Sequence, residues 1–188
     1  PDDRDIEAFE TILHGDLAGN DGPDGTYINS QENAYQIVTA LNVDDTAALD
    51  GFTVMSGRSD GVANGADPTS RDQGTAVNVY FSSPTIMNCT FRNCWTKNHG
   101  TINDHGDFTT IINCTFRNNF SDRFAPGLYI HNHTASMVMG CRFLDNVTVG
   151  EGGGVYSNSL HAMAAQGQTS KNRNVEMRNA EARRARAT

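Results

Sequence analysis

The stretch TIMNCTFRN at residues 85–93 returns as TIINCTFRN at residues 110–118 and, more loosely, as MVMGCRFLD at residues 137–145. Aligned on their cysteines, the copies are 25 and then 27 residues apart. Each unit holds two short runs of β-branched and aromatic residues separated by Gly, Asn, Ser and Asp, without the 3.6-residue apolar period of a helix. Because such a unit cannot bury its apolar side alone, the repeat predicts a stack of copies.

A right-handed parallel β-helix, an all-β solenoid of about four to five coils, is the fold that this period predicts. Equivalent residues then stack on one another from coil to coil. The predicted ladders are Phe91, Phe116 and Phe143 (aromatic) and Ile86, Ile111 and Val138 (aliphatic). A degenerate copy at residues 48–54 places Phe52 in line with Phe91, and the Gly-rich stretch at residues 59–74 predicts a long loop insertion that carries the extra length.

The repeat divides the chain into a coil stack over residues 1–167 and a basic tail over residues 168–188. The tail holds six basic and two acidic side chains, whereas the whole chain has a net charge of −8. Helix-forming residues at 175–187 predict either a helical cap or a disordered tail. The N-terminus has no initiating Met, so we expect either that a signal segment was removed or that the chain is a piece of a longer protein, whose uncapped strand edges would invite end-to-end association.

Charge and hydropathy exclude two classes of partner. A net charge of −8 repels phosphate, so the sequence argues against a nucleic-acid partner. There is no apolar run of 18 or more residues, so a transmembrane helix is not expected.

The repeat places three cysteines, Cys89, Cys114 and Cys141, in one register position. We expect them to be stacked, reduced and buried, since free cysteine behaves as a small hydrophobe. The alternatives are a metal or redox cluster of these three residues and a disulfide between Cys89 and Cys94, which lies outside the ladder.

The polar residue that follows each aromatic position is predicted to form a turn ladder. Asn93 and Asn118, with Asp145 in the third copy, are turn-forming residues, and we expect their side chains to bond from coil to coil.

The loop DLAGNDGPDG at residues 16–25 is the candidate cation site. Carboxylate oxygens on a Gly-rich turn suit Ca²⁺, a hard ion with six to eight oxygen ligands. Asp16, Asp21 and Asp24 are the predicted ligands, although their spacing differs from that of an EF-hand. The alternative is a solvated acidic turn.

The segment at residues 103–107 is the candidate ligand face. Two-residue alternation points Asn103 and His105 outward, and the register predicts Tyr80 and Asn132 in the same outer row as His105. That row would offer hydrogen bonds to sugar hydroxyls. A catalytic use of Asp104 with His105 and a plain solvated strand are the alternatives.

Several segments also resemble a known family. The stretches ALDGFTVMSG (48–57), NCTFRNC (88–94), NCTFRNN (113–119) and GGGVYSN (152–158), preceded by residues 10–25, are similar to right-handed β-helix repeat proteins of bacterial surfaces. They resemble the polymorphic outer-membrane protein type, within the pectate-lyase-like superfamily, over roughly residues 9–160. The resemblance implies a secreted or cell-surface location, and it leaves chemistry open because this fold carries both lyases and adhesive stalks.

These observations favour a non-catalytic structural or adhesive segment that meets a polysaccharide or another cell-surface ligand. A polysaccharide lyase or glycoside hydrolase is the first alternative, and a carbohydrate-binding module is the second. Glycosidic hydrolysis needs two carboxylates that flank the scissile bond, and a lyase of this superfamily needs a Lys or Arg base beside Ca²⁺. Neither arrangement is evident around Asp104, and the arginine motifs of pectate lyases are absent.

Overall fold

The computed structural model describes residues 4–6, 8–23, 26–62, 70–131, 135–157, 165–166 and 169–172. Over these residues the chain is all-β apart from one 3₁₀ turn at Ser30–Glu32. The strands in chain order are β1 (Thr11–His14), β2 (Val38–Leu41), β3 (Ala48–Asp50), β4 (Phe52–Met55), β5 (Arg58–Ser59), β6 (Val77–Tyr80), β7 (Thr85–Met87), β8 (Thr90–Arg92), β9 (Trp95–Thr96), β10 (Ile102–His105), β11 (Thr110–Ile112), β12 (Thr115–Arg117), β13 (Phe120–Ser121), β14 (Leu128–Ile130), β15 (Met137–Met139), β16 (Arg142–Thr148), β17 (Val155–Ser157), β18 (Ala165–Gln166) and β19 (Thr169–Asn172).

Equivalent strands of successive repeats pair in parallel. Sheet B contains β2, β6, β10, β14 and β17, and sheet C contains β3, β7, β11, β15 and β18. Sheet A contains β1, β4, β8, β12, β16 and β19, and the short strands β5, β9 and β13 join it through the long strand β16. This regular parallel stacking is consistent with the β-helix that the repeat predicts. Among the residues that the structure describes, no helix has the length and apolar character needed to cross a bilayer.

The predicted ladders are confirmed and form the core between the sheets. The rings of Phe91 and Phe116 have centroids 5.0 Å apart, and those of Phe116 and Phe143 are 4.8 Å apart with an interplanar angle of 6°. The aliphatic ladder of Ile86, Ile111 and Val138 is in direct register in sheet C, and every member of both ladders is buried. Inward stacking of like side chains thus provides the apolar burial that one repeat could not provide.

The first repeat differs from its predicted alignment. Val54 pairs with Phe91, so Phe52 does not belong to the aromatic ladder. Phe52 follows the left-handed Gly51 as Cys89 follows the left-handed Asn88, so Phe52 takes the cysteine position of the repeat. The extra length lies further along the chain, where 17 residues separate Ser59 from Val77 and 5 separate the equivalent Thr96 from Ile102. The loop therefore falls in the predicted region, and its residues 63–69 lie outside the described residues.

Left-handed residues flank β4, β8 and β12 of sheet A and take the equivalent positions before and within β16. These positions have φ between 51° and 79°, a conformation that Gly and Asn tolerate best. The two rows are Gly51, Asn88, Asn113 and Gly140, and Ser56, Asn93, Asn118 and Asp145. The backbone geometry at these turns thus explains why the repeat motif is rich in Asn.

The coil-to-coil amide ladder lies one position later than predicted. Asn119 Nδ2 donates to Asn146 Oδ1 at 3.1 Å and to the Phe91 carbonyl at 3.0 Å, and Asn119 Oδ1 accepts from the Cys94 N–H. The expected ladder of Asn93, Asn118 and Asp145 instead supplies the left-handed turn residues. The side chain after the turn points inward, where it can satisfy buried backbone groups.

All four cysteines are free and buried. In the ladder position, the Cys114 thiol donates to the Ile112 carbonyl at 3.3 Å, and Cys89 and Cys141 make the equivalent bonds to residues 87 and 139. The structure thus places three reduced thiols in the stack, in the arrangement that the repeat predicts.

The stack continues past residue 167. β18 pairs with β15 and β19 pairs with β16, both in parallel, so residues 165–166 and 169–172 extend the sheets into the segment that begins the basic tail. Residues 173–188, which include the stretch with helix-forming composition, lie outside the described residues.

Candidate functional site

The predicted ligand row lies on the outer side of sheet B. Parallel pairing places Tyr80 beside His105, and their rings stack with centroids 4.5 Å apart. The next member is His131, whose ring stacks on His105, rather than Asn132. The cysteine spacing misplaces this strand by one residue because the chain from Leu128 to the start of β15 is one residue longer than its equivalent from Ile102. Asn132 itself lies outside the described residues.

Two of the predicted ligand residues are buried and already paired. Asn103 is in the adjacent outward row, where its Nδ2 donates to Asn78 Oδ1 at 2.8 Å and its Oδ1 lies 3.0 Å from His131 Nε2. The Tyr80 hydroxyl accepts a 2.6 Å bond from Gln73 Nε2. Of the described residues predicted for this face, His105 alone is partly accessible. The outer side of sheet B is therefore mostly a packed polar layer.

Three histidines of this layer are held neutral. Burial lowers the pKa of His99 to about 4, and burial together with the nearby His99 lowers that of His105 to about 4. Burial and the two neighbouring imidazoles lower the pKa of His131 to about 2. Because burial takes hydration away from the charged form of each ring, all three imidazoles are neutral at physiological pH.

Asp104 points to the opposite side of the strand from His105. Its carboxylate is fully buried, accepts from the Gly106 N–H at 2.9 Å and from Thr109 Oγ1 at 2.8 Å, and also accepts from Ser136 Oγ. Burial raises the pKa of this carboxyl. Asp104 and His105 therefore do not converge on a common substrate position, and Asp104 anchors the turn after β10.

In the acidic N-terminal loop, the predicted residues Asp16 and Asp21 lie together. One oxygen of each lies within 4.8 Å of the other and of a Glu32 oxygen, a third acid that the loop motif does not contain. The backbone N–H groups of residues 18, 19, 20 and 21 donate to the Asp16 carboxylate. Although burial alone raises the pKa of Asp16, these donors stabilise its charged form and bring the pKa below its ordinary value. Asp24 lies outside the described residues.

An open groove lies on the outer side of sheet A, where the sequence predicts no site. It encloses about 720 Å³, within the size range of ligand pockets. Its floor is the outward threonine row of Thr53, Thr90 and Thr115, which continues to Arg142, and its flank is the first row of left-handed residues. Ile6 and Glu10 close the end beside β4.

Arginines give this groove a positive character on an otherwise acidic chain. Arg117 and Arg142 line it and are exposed, on neighbouring strands of sheet A. Glu10 is the one carboxylate among its described lining residues, and it accepts from Thr53 Oγ1 at 2.6 Å and lies 3.8 Å from Arg92. Guanidinium groups beside hydroxyl and amide groups suit a ligand that carries carboxylates and hydroxyls.

The repeat motif does contain a signal for this groove. In Thr90-Phe91-Arg92 and Thr115-Phe116-Arg117 the buried Phe forces both neighbours to the opposite side, because successive strand residues alternate. The same alternation that predicts the aromatic ladder thus predicts a row of Thr and Arg outside it.

Comparison with protein-family models, curated proteins and solved structures finds no match to this chain.

Proposed function

We propose that this chain is a non-catalytic, adhesive segment of a right-handed parallel β-helix, and that the groove on sheet A binds an acidic polysaccharide. The observation that carries the proposal is the pair of exposed arginines, Arg117 and Arg142, in an open groove floored by threonines. The order of strands and the ladder register support the β-helix. The sequence resemblance to pectate-lyase-like surface proteins supports a secreted or cell-surface location on a bacterium.

The direction of the groove supports an extended ligand. It crosses β8, β12 and β16, so a polymer laid along it meets equivalent groups about every 4.8 Å, the spacing of paired strands. Arginine forms paired hydrogen bonds with carboxylates, and threonine hydroxyls and asparagine amides exchange hydrogen bonds with sugar hydroxyls. A repetitive, carboxylated chain matches this repetitive surface better than a compact small molecule does.

The arrangement of carboxylates around the groove favours binding of a polysaccharide over its hydrolysis. A glycoside hydrolase needs two of them on either side of the bond, whereas the described lining contributes Glu10, which is engaged by Thr53 and Arg92. On sheet B, Asp104 is enclosed behind the strand. We therefore favour adhesion over the lyase and hydrolase alternatives.

The test is retention of the purified chain on polygalacturonate, a carboxylated polysaccharide, with a neutral glucan as the comparison polymer. We expect polygalacturonate to retain the wild type, and the Arg117→Ala/Arg142→Ala variant to lose at least about tenfold in affinity. The matched control is Arg71→Ala/Arg123→Ala, which removes the same charge from exposed positions outside the groove and should bind like the wild type.

Three results would contradict the proposal. Equal loss in both double variants would indicate a general charge effect, and equal retention of the groove variant would place binding elsewhere. Turnover, followed as unsaturated ends for β-elimination or as reducing ends for hydrolysis, would make the chain an enzyme.

A further inference from the structure

The N-terminal loop encloses a small cavity against the second row of left-handed residues. The Tyr27 hydroxyl donates to the Asn118 carbonyl at 2.7 Å, and Asn33 Nδ2 donates to the Ser56 carbonyl at 2.8 Å. The loop is therefore fastened to the repeat that contains β4 and to the repeat two coils along, which contains β12. The cavity measures about 20 Å³, room for one water-sized particle. Its lining residues are Asp21, Gly22, Pro23, Tyr27, Ser30, Asn33, Ser56, Gly57 and Asn93.

Three of the lining side chains turn unpaired oxygens toward this space. Asp21 Oδ1, Asn33 Oδ1 and both side-chain polar atoms of Asn93 are buried and have no hydrogen-bond partner among the described residues. Asn33 is 4% exposed and Asn93 is 6% exposed. Buried polar groups in folded proteins are almost always satisfied, so several such atoms around one cavity indicate a missing partner.

The orientation of Asn33 is fixed by its neighbours. Its Nδ2 donates both to Asp21 Oδ2 at 2.9 Å and to the Ser56 carbonyl at 2.8 Å. The amide nitrogen is thereby directed at two acceptors, and the oxygen must face the cavity. The same bond holds the Asp21 carboxylate so that its second oxygen also faces inward.

The local charge favours a cation. Carboxylate oxygens of Asp16 and Glu32 lie within 4.8 Å of one Asp21 oxygen, so three acids meet at this end of the loop. The Arg58 guanidinium, which donates to Ser30 Oγ at 2.8 Å, is itself paired with Asp60 at 2.7 Å. The acids thus retain a negative potential at the cavity that a bound cation would neutralise.

We propose that this cavity is a Ca²⁺ site with Asp21, Asn33 and Asn93 as its side-chain ligands. Ca²⁺ accepts carboxylate and amide oxygens in flexible geometry, whereas Mg²⁺ demands near-ideal octahedral geometry and usually keeps several waters. The site shares Asp21 with the predicted acidic motif, but its other two ligands come from the 3₁₀ turn region and from a repeat turn. Bound Ca²⁺ therefore ties the N-terminal loop to the coil stack.

The test is calorimetric titration of the chelator-treated full chain with CaCl₂, together with thermal unfolding with and without Ca²⁺. We expect one Ca²⁺ per chain, with a Kd of about 10⁻⁴ to 10⁻³ M as in extracellular modules, and a rise in Tm on Ca²⁺ addition. Asp21→Asn removes the charge and keeps the shape, and it should weaken binding by at least about tenfold.

Asn93→Gly should weaken Ca²⁺ binding as well, because glycine keeps the left-handed turn but removes the amide oxygen. Asn118→Gly is the matched control, since it makes the same change one repeat away and outside the cavity lining. It should bind Ca²⁺ like the wild type.

The proposal is overturned if wild-type protein shows neither heat nor a Tm shift with millimolar Ca²⁺, since a water alone would then fill the cavity. It also fails if Asn93→Gly and Asn118→Gly bind equally, or if Mg²⁺ or Na⁺ gives the same effect as Ca²⁺. Circular dichroism of each variant separates loss of binding from loss of fold, and the conservative Asp21→Asn variant keeps the test valid if Asn93→Gly does not fold.

Discussion

The outer sides of sheets A and B have the same strand geometry and opposite surroundings. Thr115 and Arg117 of sheet A point into an open groove, whereas Asn103 and Tyr80 of sheet B are buried beneath neighbouring polar and aromatic side chains. The loop and turn residues Gln73 and His99 reach over sheet B, and they hydrogen-bond to each other at 2.6 Å. Equivalent positions in a stacked fold thus become an open groove or a packed layer according to what the connecting segments cover.

The largest effect on stability should come from a substitution on the inner side of sheet A, and the outer side should show almost none. Phe116→Ala removes a fully buried ring from the aromatic ladder and should lower the free energy of unfolding by about 3–5 kcal/mol. Its neighbour Arg117 points into solvent on the same strand, so Arg117→Ala should change stability by no more than about 0.5 kcal/mol. Urea denaturation measures both. Comparable losses would mean that the outer side of sheet A is structural too.

An intermediate effect should show that the outer side of sheet B is structural. Asn103→Ala removes one bond from the buried Asn78 and one from the half-buried His131, and it should cost about 1–3 kcal/mol. Thr115→Ala, an outward position in sheet A, serves as the control and should be nearly neutral. If chemical denaturation gives the same small change for both, the contrast between the two faces is wrong.

The smallest effect is a pH dependence confined to sheet B. The folded pKa values of His99 and His105 are near 4, below the ordinary 6.5, so the unfolded chain binds more protons between these values. Stability is therefore complete above pH 6.5 and is lost as the pH falls toward 4. After discounting for the accessible parts of the rings, we expect a loss of about 1 kcal/mol between pH 7 and 5.5.

Denaturation midpoints at a series of pH values test this dependence. His105→Asn should reduce the slope of the profile, whereas Arg142→Ala in the groove of sheet A should leave the slope unchanged. A wild-type profile that is flat from pH 7 to 5 would contradict the burial of the histidine cluster.

Much of the fold was predictable because its signal is periodic. Phe91, Phe116 and Phe143 recur with the same neighbours, and parallel pairing sets each above the last as the spacing predicts. The ligand row was less predictable, because one additional residue between β14 and β15 puts His131 where the cysteine spacing predicts Asn132. The spacing between two cysteines gives the number of residues between them but does not show whether an extra residue lies before or after a strand.

The candidate sites depended still more on tertiary structure. The acidic loop was recognisable, but its grouping with Glu32, and the cavity formed with Asn33 and Asn93, arise only when the loop packs on a repeat turn. The groove combines repeat positions with residues 6 and 10, which precede the repeats.

The sequence by itself determined the period, the parallel stacking and the inward ladders, because these follow from local alternation and from the apolar burial that only stacked copies achieve. Only the tertiary structure decided which outward rows stay open and which turn residues, such as Asn93, are left with unpaired atoms. Those outcomes depend on where insertions and the N-terminal loop pack, and packing between distant segments leaves no periodic trace in the chain.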